Sequence, residues 1–288
     1  MQQPILPPWT RDAQKLKTTT EKTGGILARV DGVATGHPII EVKGLRTQFG
    51  EQVIHNNLDL DVLAGEVLGV VGGSGSGKSV LLRTIIGLNQ PAAGSIAVFG
   101  EDTAHLSEAA WRRLQARWGV LFQGGALFSS LTVGQNVQVP MKEHTDLPPA
   151  LMNELTALKV ELVGLPPEAY GKVPSELSGG MRKRAGLARA LALDPEIIFL
   201  DEPTAGLDPI GAAAFDQLIR SLQRSLGLTV FMVTHDLDSL ATICDRIAVL
   251  VDKRIKVGTM AEFLQDDHPW IREYFHGPRG RAARHEST

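Results

Sequence analysis

A single cysteine, Cys244, is the only thiol in this sequence. No internal disulfide can form, which excludes a disulfide-framed fold and fits a reducing cytosol. Alone, Cys244 reads as a small buried hydrophobe. Long apolar runs are also missing: nothing approaches the roughly 18 residues that a membrane-spanning helix needs. The opening MQQPILPPWTRDAQK is proline-rich and then charged, unlike a secretory leader. The chain is therefore expected to be soluble by itself, with any membrane role supplied by a partner. Positive charge is not in excess either. The formal net charge is -3, so no global basic field favours nucleic acid, and no such partner is expected. No internal repeat is found. What is abundant is apolar material, 43% of 288 residues, enough for a sizeable core in one large domain or two modest ones.

Residues 1–37 read as an extension expected to be disordered, with Pro4, Pro7, Pro8, a Thr18–Thr20 run and no apolar period. Ordered pattern begins at the strand Ile39–Val42. Leu58, Leu60 and Val62 alternate with Asp59 and Asp61, the period of a half-buried strand. Val67–Val71 is a short apolar run and reads as a buried strand. A helix is expected over Val80–Gly87 with Gly87 as its C-cap. Val120–Phe122 reads as a short strand, and residues 132–176 as helical. Met181–Ala192 is rich in Arg and Ala and forms helix. Ile197–Leu200 and Thr229–Val233 read as buried strands around a helix at Asp208–Leu226. Arg246–Val257 reads as a hairpin turning at Asp252–Lys253. Apolar strands alternating with helices give an α/β fold with a mainly parallel core sheet.

Two glycine-rich loops stand out. GGSGSGKS, Gly72–Ser79, fits the phosphate-cradling pattern GxxxxGK[ST] and has the strand before it and helix after it that the pattern requires. Gly72, Gly73, Ser74, Gly75, Ser76 and Gly77 can turn the backbone so that amides face anionic oxygens. The following helix adds its positive end. Lys78 can reach β- and γ-phosphates, and Ser79 can ligate Mg²⁺. The second loop, LSGGM at Leu177–Met181, sets a Ser and two Gly before a basic helix, which also suits a phosphate. Two such loops in one chain suggest a nucleotide held between two copies of it. IIFLDE, Ile197–Glu202, carries two acids to the carboxyl edge of a parallel sheet, where nucleotides bind. Asp201 would hold Mg²⁺, and Glu202 would orient or deprotonate the attacking water. Gln123 ends a strand, and His235 follows the strand Thr229–Val233 and Thr234. Either alone is more often structural, so their weight lies in their order along the chain.

The order Lys78, Gln123, Ser178, Glu202, Asp208, His235 resembles the ATP-binding cassette (ABC) ATPases, motor subunits of ABC transporters, over about residues 39–265. GGSGSGKS matches Walker A, FLDE Walker B and LSGGM the family signature. Gln123 matches the Q-loop residue, also placed near the metal. Asp208 in AGLDP matches the D-loop Asp, and His235 in VTHD the switch His. Phe49 in QFG sits where the family places an aromatic that stacks on adenine. The resemblance implies a P-loop cassette spanning residues 38–265, with an N-terminal antiparallel β part and a helical subdomain at about 124–192. It implies ATP and Mg²⁺ as cofactors and a head-to-tail homodimer. In it Ser178, Gly179 and Gly180 hold the γ-phosphate bound to the other copy. Residues 266–288 are then a tail and a possible interface segment. Within it Trp270, Tyr274 and Phe275 form one apolar helix face, packed on their own domain or on the dimer mate. The basic Arg279, Arg281 and Arg284 read first as a solvated terminal tail, and otherwise suit anionic headgroups or a neighbouring subunit.

A narrower resemblance lies in FQGGALFSSLTVGQNVQVP, Phe122–Pro140, and in Met181, where the family usually has Gln. Both are similar to the ATPases of MCE-type lipid transport systems. That implies permease subunits, an MCE-domain lipid-binding protein, a small STAS-type subunit, and a place at the cytoplasmic face of the inner membrane. Three other readings are open. The same motor serving amino acids or metal chelates fits this segment less well. A non-transport cassette acting on DNA or ribosomes would carry a second cassette or a long insertion, and neither is present. A non-hydrolysing subunit would lack catalytic positions that are all filled here.

Overall fold

The alternation at Leu58–Val62 belongs to a strand far longer than the sequence pattern suggests. The computed structural model describes residues 29–30, 33–34 and 36–277; the expectations for the rest of the N-terminal extension and for Arg279, Arg281 and Arg284 lie outside the described residues. β1 (Arg29–Val30) and β2 (Val33–Ala34) pair antiparallel. β3 (Pro38–Phe49) and β4 (Gln52–Leu63) form a second antiparallel pair, with Ile40, Val42, Leu58, Leu60 and Val62 buried and Asp59 and Asp61 in solvent. β5 (Val67–Gly72) is buried along its whole length, as a strand covered on both faces must be.

α1 (Lys78–Ile85) starts two residues earlier than its apolar pattern, directly behind the first glycine-rich loop. β6 (Ala93–Val98) and β7 (Glu101–Asp102) complete a four-stranded antiparallel sheet in the order β4-β3-β6-β7. α2 (Glu108–Gln115) is capped by Ser107, whose Oγ accepts the Ala110 N–H at 3.3 Å. β8 (Trp118–Leu121) ends one residue before the expected strand end.

The helical part follows. α3 (Val133–His144) opens on a capping box between Thr132 and Gln135. α4 (Pro149–Leu162) and α5 (Gly179–Ala190) pack with it around Val133, Val137, Met141, Val160 and Leu187. β9 (Ile197–Asp201), α6 (Pro209–Leu226), β10 (Thr229–Val233) and α7 (Leu237–Ile243) return the chain to the core sheet. β11 (Arg246–Val251) and β12 (Arg254–Gly258) form the expected hairpin, with Asp252 and Lys253 at φ 51° and 62° in its turn. α8 (Met260–Phe263) and α9 (Pro269–His276) close the described chain.

The six-stranded sheet runs β12-β11-β5-β10-β9-β8, parallel except for β12. Alternate residues of β9 enter different cores, as strand period requires. Phe199 joins α1 and the antiparallel sheet on one face; Ile198 and Leu200 join α3 to α6 on the other. Each such large side chain, fully buried, contributes about 1.5–3 kcal/mol. In α9, Ile271 and Phe275 are buried against Val249, Leu240 and Phe263, so this face sits on its own domain. Trp270 and Tyr274 stack on one another, ring centroids 4.8 Å apart.

The helical part is fastened to the sheet through Gly119 of β8. A Cβ there would lie 1.9 Å from the Ala190 carbonyl oxygen at the end of α5. Gly119→Ala must force strand and helix apart. It is expected to cost about 1–3 kcal/mol, as overpacking does, and to lower Tm by roughly 2–12 °C in thermal unfolding. An unchanged Tm would mean that the two backbones are not in close contact.

Candidate active site

Parallel pairing brings four strand ends to one edge. Val233 of β10 is in register with Asp201 of β9 and with Val70 of β5, and Leu121 of β8 with Leu200. The chain beyond each strand is also stitched to its neighbour. The Thr234 N–H donates to Val70 O at 3.1 Å, and the Glu202 N–H to Val233 O at 2.9 Å. The carboxyl edge of the sheet thus gathers the Gly72–Ser79 loop, the Asp201–Glu202 pair and the segment carrying His235.

The first loop is shaped by its close contacts. Gly77 has φ 103° at the start of α1, and a Cβ there would lie 2.4 Å from Ile54 Cγ2 and 2.6 Å from His55 Nε2. Only glycine fits that conformation and that space. Lys78 Nζ donates to Gly72 O at 2.8 Å and Gly73 O at 3.1 Å, so its ammonium arches back over the loop. Burial lowers the Lys78 pKa, and the charges of Glu202 and Asp201 act against that. Ser74 and Gly75 form the exposed tip. Gly73, Gly75 and Ser76 border a 360 Å³ cleft together with Gln52, Ile54 and Trp270. Phe49, paired with Gln52 at the end of the β3–β4 hairpin, is 54% exposed. Beneath the loop, His55 is fully buried with Nδ1 2.8 Å from Thr47 Oγ1. Desolvation, opposed by the Gly77 backbone, pushes its pKa to about 4, so the ring is neutral at physiological pH.

The acids lie against this loop. Ser79 Oγ donates to Asp201 Oδ1 at 3.1 Å, and Asp201 is buried. Hydroxyl and carboxylate oxygens are the hard donors that Mg²⁺ takes, and these two stand beside the phosphate loop, so the donor set fits that ion. Glu202 Oε2 is 2.6 Å from His235 Nδ1. Glu202 itself has φ 51°, the left-handed region, which a non-glycine residue occupies only when its surroundings hold it there. A carboxylate fixed by an imidazole at a sheet edge can accept a proton from water.

The other expected residues stand apart. Gln123 is exposed, two residues beyond β8 rather than at its last position. Ser178 caps α5, its Oγ accepting the Met181 N–H at 3.3 Å, and with Gly179 it is exposed. Gly180 neighbours Leu207: a Cβ on it would lie 3.9 Å from that side chain. Asp208 caps α6 by accepting the Gly211 N–H at 2.9 Å. Among the described residues, Phe49, Gln123, Ser178 and Asp208 form no hydrogen bond to Lys78, Asp201, Glu202 or His235. Met181, the departure from the family's usual Gln, packs its side chain against the helical core.

Three contacts escape any sequence reading. Lys183 of α5 is 4% exposed and donates from Nζ to the Glu202 carbonyl oxygen at 2.8 Å. In sequence it belongs to a basic run, MRKRAGLARA, that reads as a solvated helix. The Tyr274 hydroxyl of α9 donates to the His235 carbonyl oxygen at 3.1 Å, while Trp270 lies against Gly73. The sequence marked those aromatics as an apolar face without indicating what it touches.

Comparison with known proteins adds to this geometry. The family model described as ABC transporter matches residues 55–205. Over 240 residues the chain is 40% identical to the Intermembrane phospholipid transport system ATP-binding protein MlaF of Haemophilus influenzae, covering 83% of this chain and 90% of that protein. Over 241 residues it is 42% identical to the Probable ribonucleotide transport ATP-binding protein mkl of Mycobacterium leprae, covering 83% of this chain and 69% of that protein. A solved dimeric ATP-binding cassette in a post-hydrolysis state with ADP and Pi superposes with a TM-score of 0.70 at 28% identity, covering 76% of this chain and 98% of that one.

Proposed function

Because the chain belongs to the ABC transporter ATP-binding family, we propose that it is the ATP-hydrolysing motor of an MCE-type transport system that moves phospholipid across the bacterial envelope. ATP binding and hydrolysis follow from the family; the residue roles, partners, location and cargo are our reading. The observation that supports the roles best is the convergence of Lys78, the Ser79–Asp201 pair and the Glu202–His235 pair at one sheet edge.

In this reading the Gly72–Ser79 amides and Lys78 bind the β- and γ-phosphates, and Phe49 stacks on adenine across the neighbouring cleft. Ser79, Asp201 and Gln123 would hold Mg²⁺, which when bound neutralises charge on the phosphate oxygens. Glu202 takes a proton from water as the water oxygen bonds to the γ-phosphorus and the bond to the bridging oxygen of ADP breaks. His235 fixes the Glu202 carboxylate. Ser178, Gly179, Gly180 and Asp208 act in trans, at the nucleotide bound by a second copy. The working unit is then a homodimer on permease subunits, with an MCE-domain protein and a small STAS-type subunit, at the cytoplasmic face of the inner membrane. Residues 38–265 form the cassette, about 124–192 its helical subdomain, and 266–288 a tail.

The phospholipid cargo is supported by the likeness to MlaF and by the Phe122–Pro140 segment. The likeness to mkl favours ribonucleotide as a second reading. Purifying the chain with its membrane partners in mild detergent and extracting bound small molecules separates them. Phospholipid with an MCE-domain protein is expected. A ribonucleotide or another soluble solute bound to a periplasmic binding protein would overturn the lipid reading.

A further inference from the structure

α5 carries two residues that bear on catalysis, one exposed at its amino end and one buried against Glu202. Its amino cap is Ser178, which is exposed. Five positions on, about 7.5 Å along the axis, Lys183 turns inward, is 4% exposed and donates to the Glu202 carbonyl oxygen at 2.8 Å. An ammonium so enclosed is costly unless anions and acceptors surround it. Burial lowers its pKa, and the charges of Glu202 and Asp201 act to keep the proton on.

Packing alone does not call for a cation there. The neighbouring core is built from Leu, Val, Ala and Met side chains, which would fill the space without desolvating a charge. What Lys183 reaches is the backbone of a residue in a strained conformation, with φ 51°. Glu202 is thereby held at three points: its N–H by Val233 O, its carboxylate by His235 and its carbonyl by Lys183.

We propose that Lys183 is a positioning residue that ties α5 to the Glu202 backbone, so that the helix serving one nucleotide sets the hydrolytic carboxylate of the other site. The proposal rests on the reading above, in which Ser178 acts at the nucleotide of a second copy. A phosphate that draws the amino end of α5 toward it moves Lys183 as part of the same rod. A hydrogen bond of 2.8 Å is sensitive to displacements of about 1 Å, so seating the amino end of α5 on that phosphate fixes the Lys183 contact, and Glu202 in one site responds to occupancy of the other.

The test uses the full chain as wild type, Lys183→Met and Lys183→Gln, measuring fluorescent-ATP binding, kcat, and the Hill coefficient of turnover against ATP. Lys183→Met fills the space without a donor; Lys183→Gln retains an N–H for the Glu202 carbonyl. The wild type is expected to turn over with a Hill coefficient above 1. Lys183→Met is expected to bind ATP within about 3-fold of wild type, lose about 10- to 100-fold in kcat and fall to a Hill coefficient near 1. Lys183→Gln is expected to recover most of both. KM and the Hill coefficient are properties of the folded fraction, so partial unfolding does not imitate this pattern. Wild-type kcat in Lys183→Met overturns the proposal. So does equal impairment of both variants, which marks a purely structural lysine, and so does a wild-type Hill coefficient of 1. Failure of the underlying reading shows differently, as a Glu202→Gln chain that does not dimerise in ATP.

Discussion

Glu202→Gln is expected to bind ATP as the wild type does and to lose about 10²- to 10⁴-fold in turnover, the range that general-base catalysis supplies. Gln has the shape of Glu and can hydrogen bond with His235 Nδ1 across the present 2.6 Å separation, whichever ring nitrogen carries the proton. The backbone hydrogen bonds that hold Glu202, from its N–H to Val233 and from Lys183 to its carbonyl, do not involve the substituted group. What is removed is the carboxylate's charge and with it the capacity to take a proton from water. Nucleotide then stays bound and unhydrolysed, and the variant accumulates as a dimer in ATP. Single-turnover measurement separates the chemical step from product release. Wild-type hydrolysis by this variant would remove Glu202 from the role of base.

The second large effect is on binding. Lys78→Ala is expected to weaken ATP affinity by about 10- to 100-fold, as loss of charge-assisted hydrogen bonds of about 1.5–3 kcal/mol implies. The Lys78 ammonium is half-buried at the loop and, among the described residues, donates to Gly72 O and Gly73 O of that same loop. The loop's shape depends on Gly77 and its packing on Ile54 and His55 rather than on Lys78. The variant should therefore fold, with its deficit confined to nucleotide. Equilibrium binding of fluorescent ATP and a thermal melt together check this. Unchanged affinity would exclude Lys78 from the phosphate site.

What could be read from the sequence followed from how each element is buried. β5, β9 and β10 are enclosed on both faces, so they appear as uninterrupted apolar runs, and motifs at their carboxyl ends converge through parallel pairing alone. β6 and α2 leave no apolar pattern in the sequence because they bury little. β6 has its first three residues exposed, and α2 buries only Leu114. β3 was read short because bulges at Val42–Leu45 and Leu45–Thr47 break its alternation. In α9 the aromatics mark the apolar face, and Phe275 is buried as they suggest, but Ile271 is buried as deeply while Trp270 and Tyr274 are only partly covered. The site's motifs were legible one by one. The Lys183 contact was not, since a lysine inside MRKRAG carries no local sign of burial and its acceptor is a backbone atom 19 residues on.

If one ATP site is shared by two copies of this chain, lesions in its two halves must complement one another. Lys78→Ala and Ser178→Ala, each placed on the Glu202→Gln background, are to be compared separately and mixed, by size-exclusion chromatography in ATP. Either variant alone leaves both composite sites broken in any homodimer. A mixed dimer holds one site with neither lesion, where wild-type Lys78 of one copy meets wild-type Ser178 of the other. The account predicts ATP-dependent dimer in the mixture well beyond that of either variant alone. A mixture with no more dimer than its separate components would contradict it.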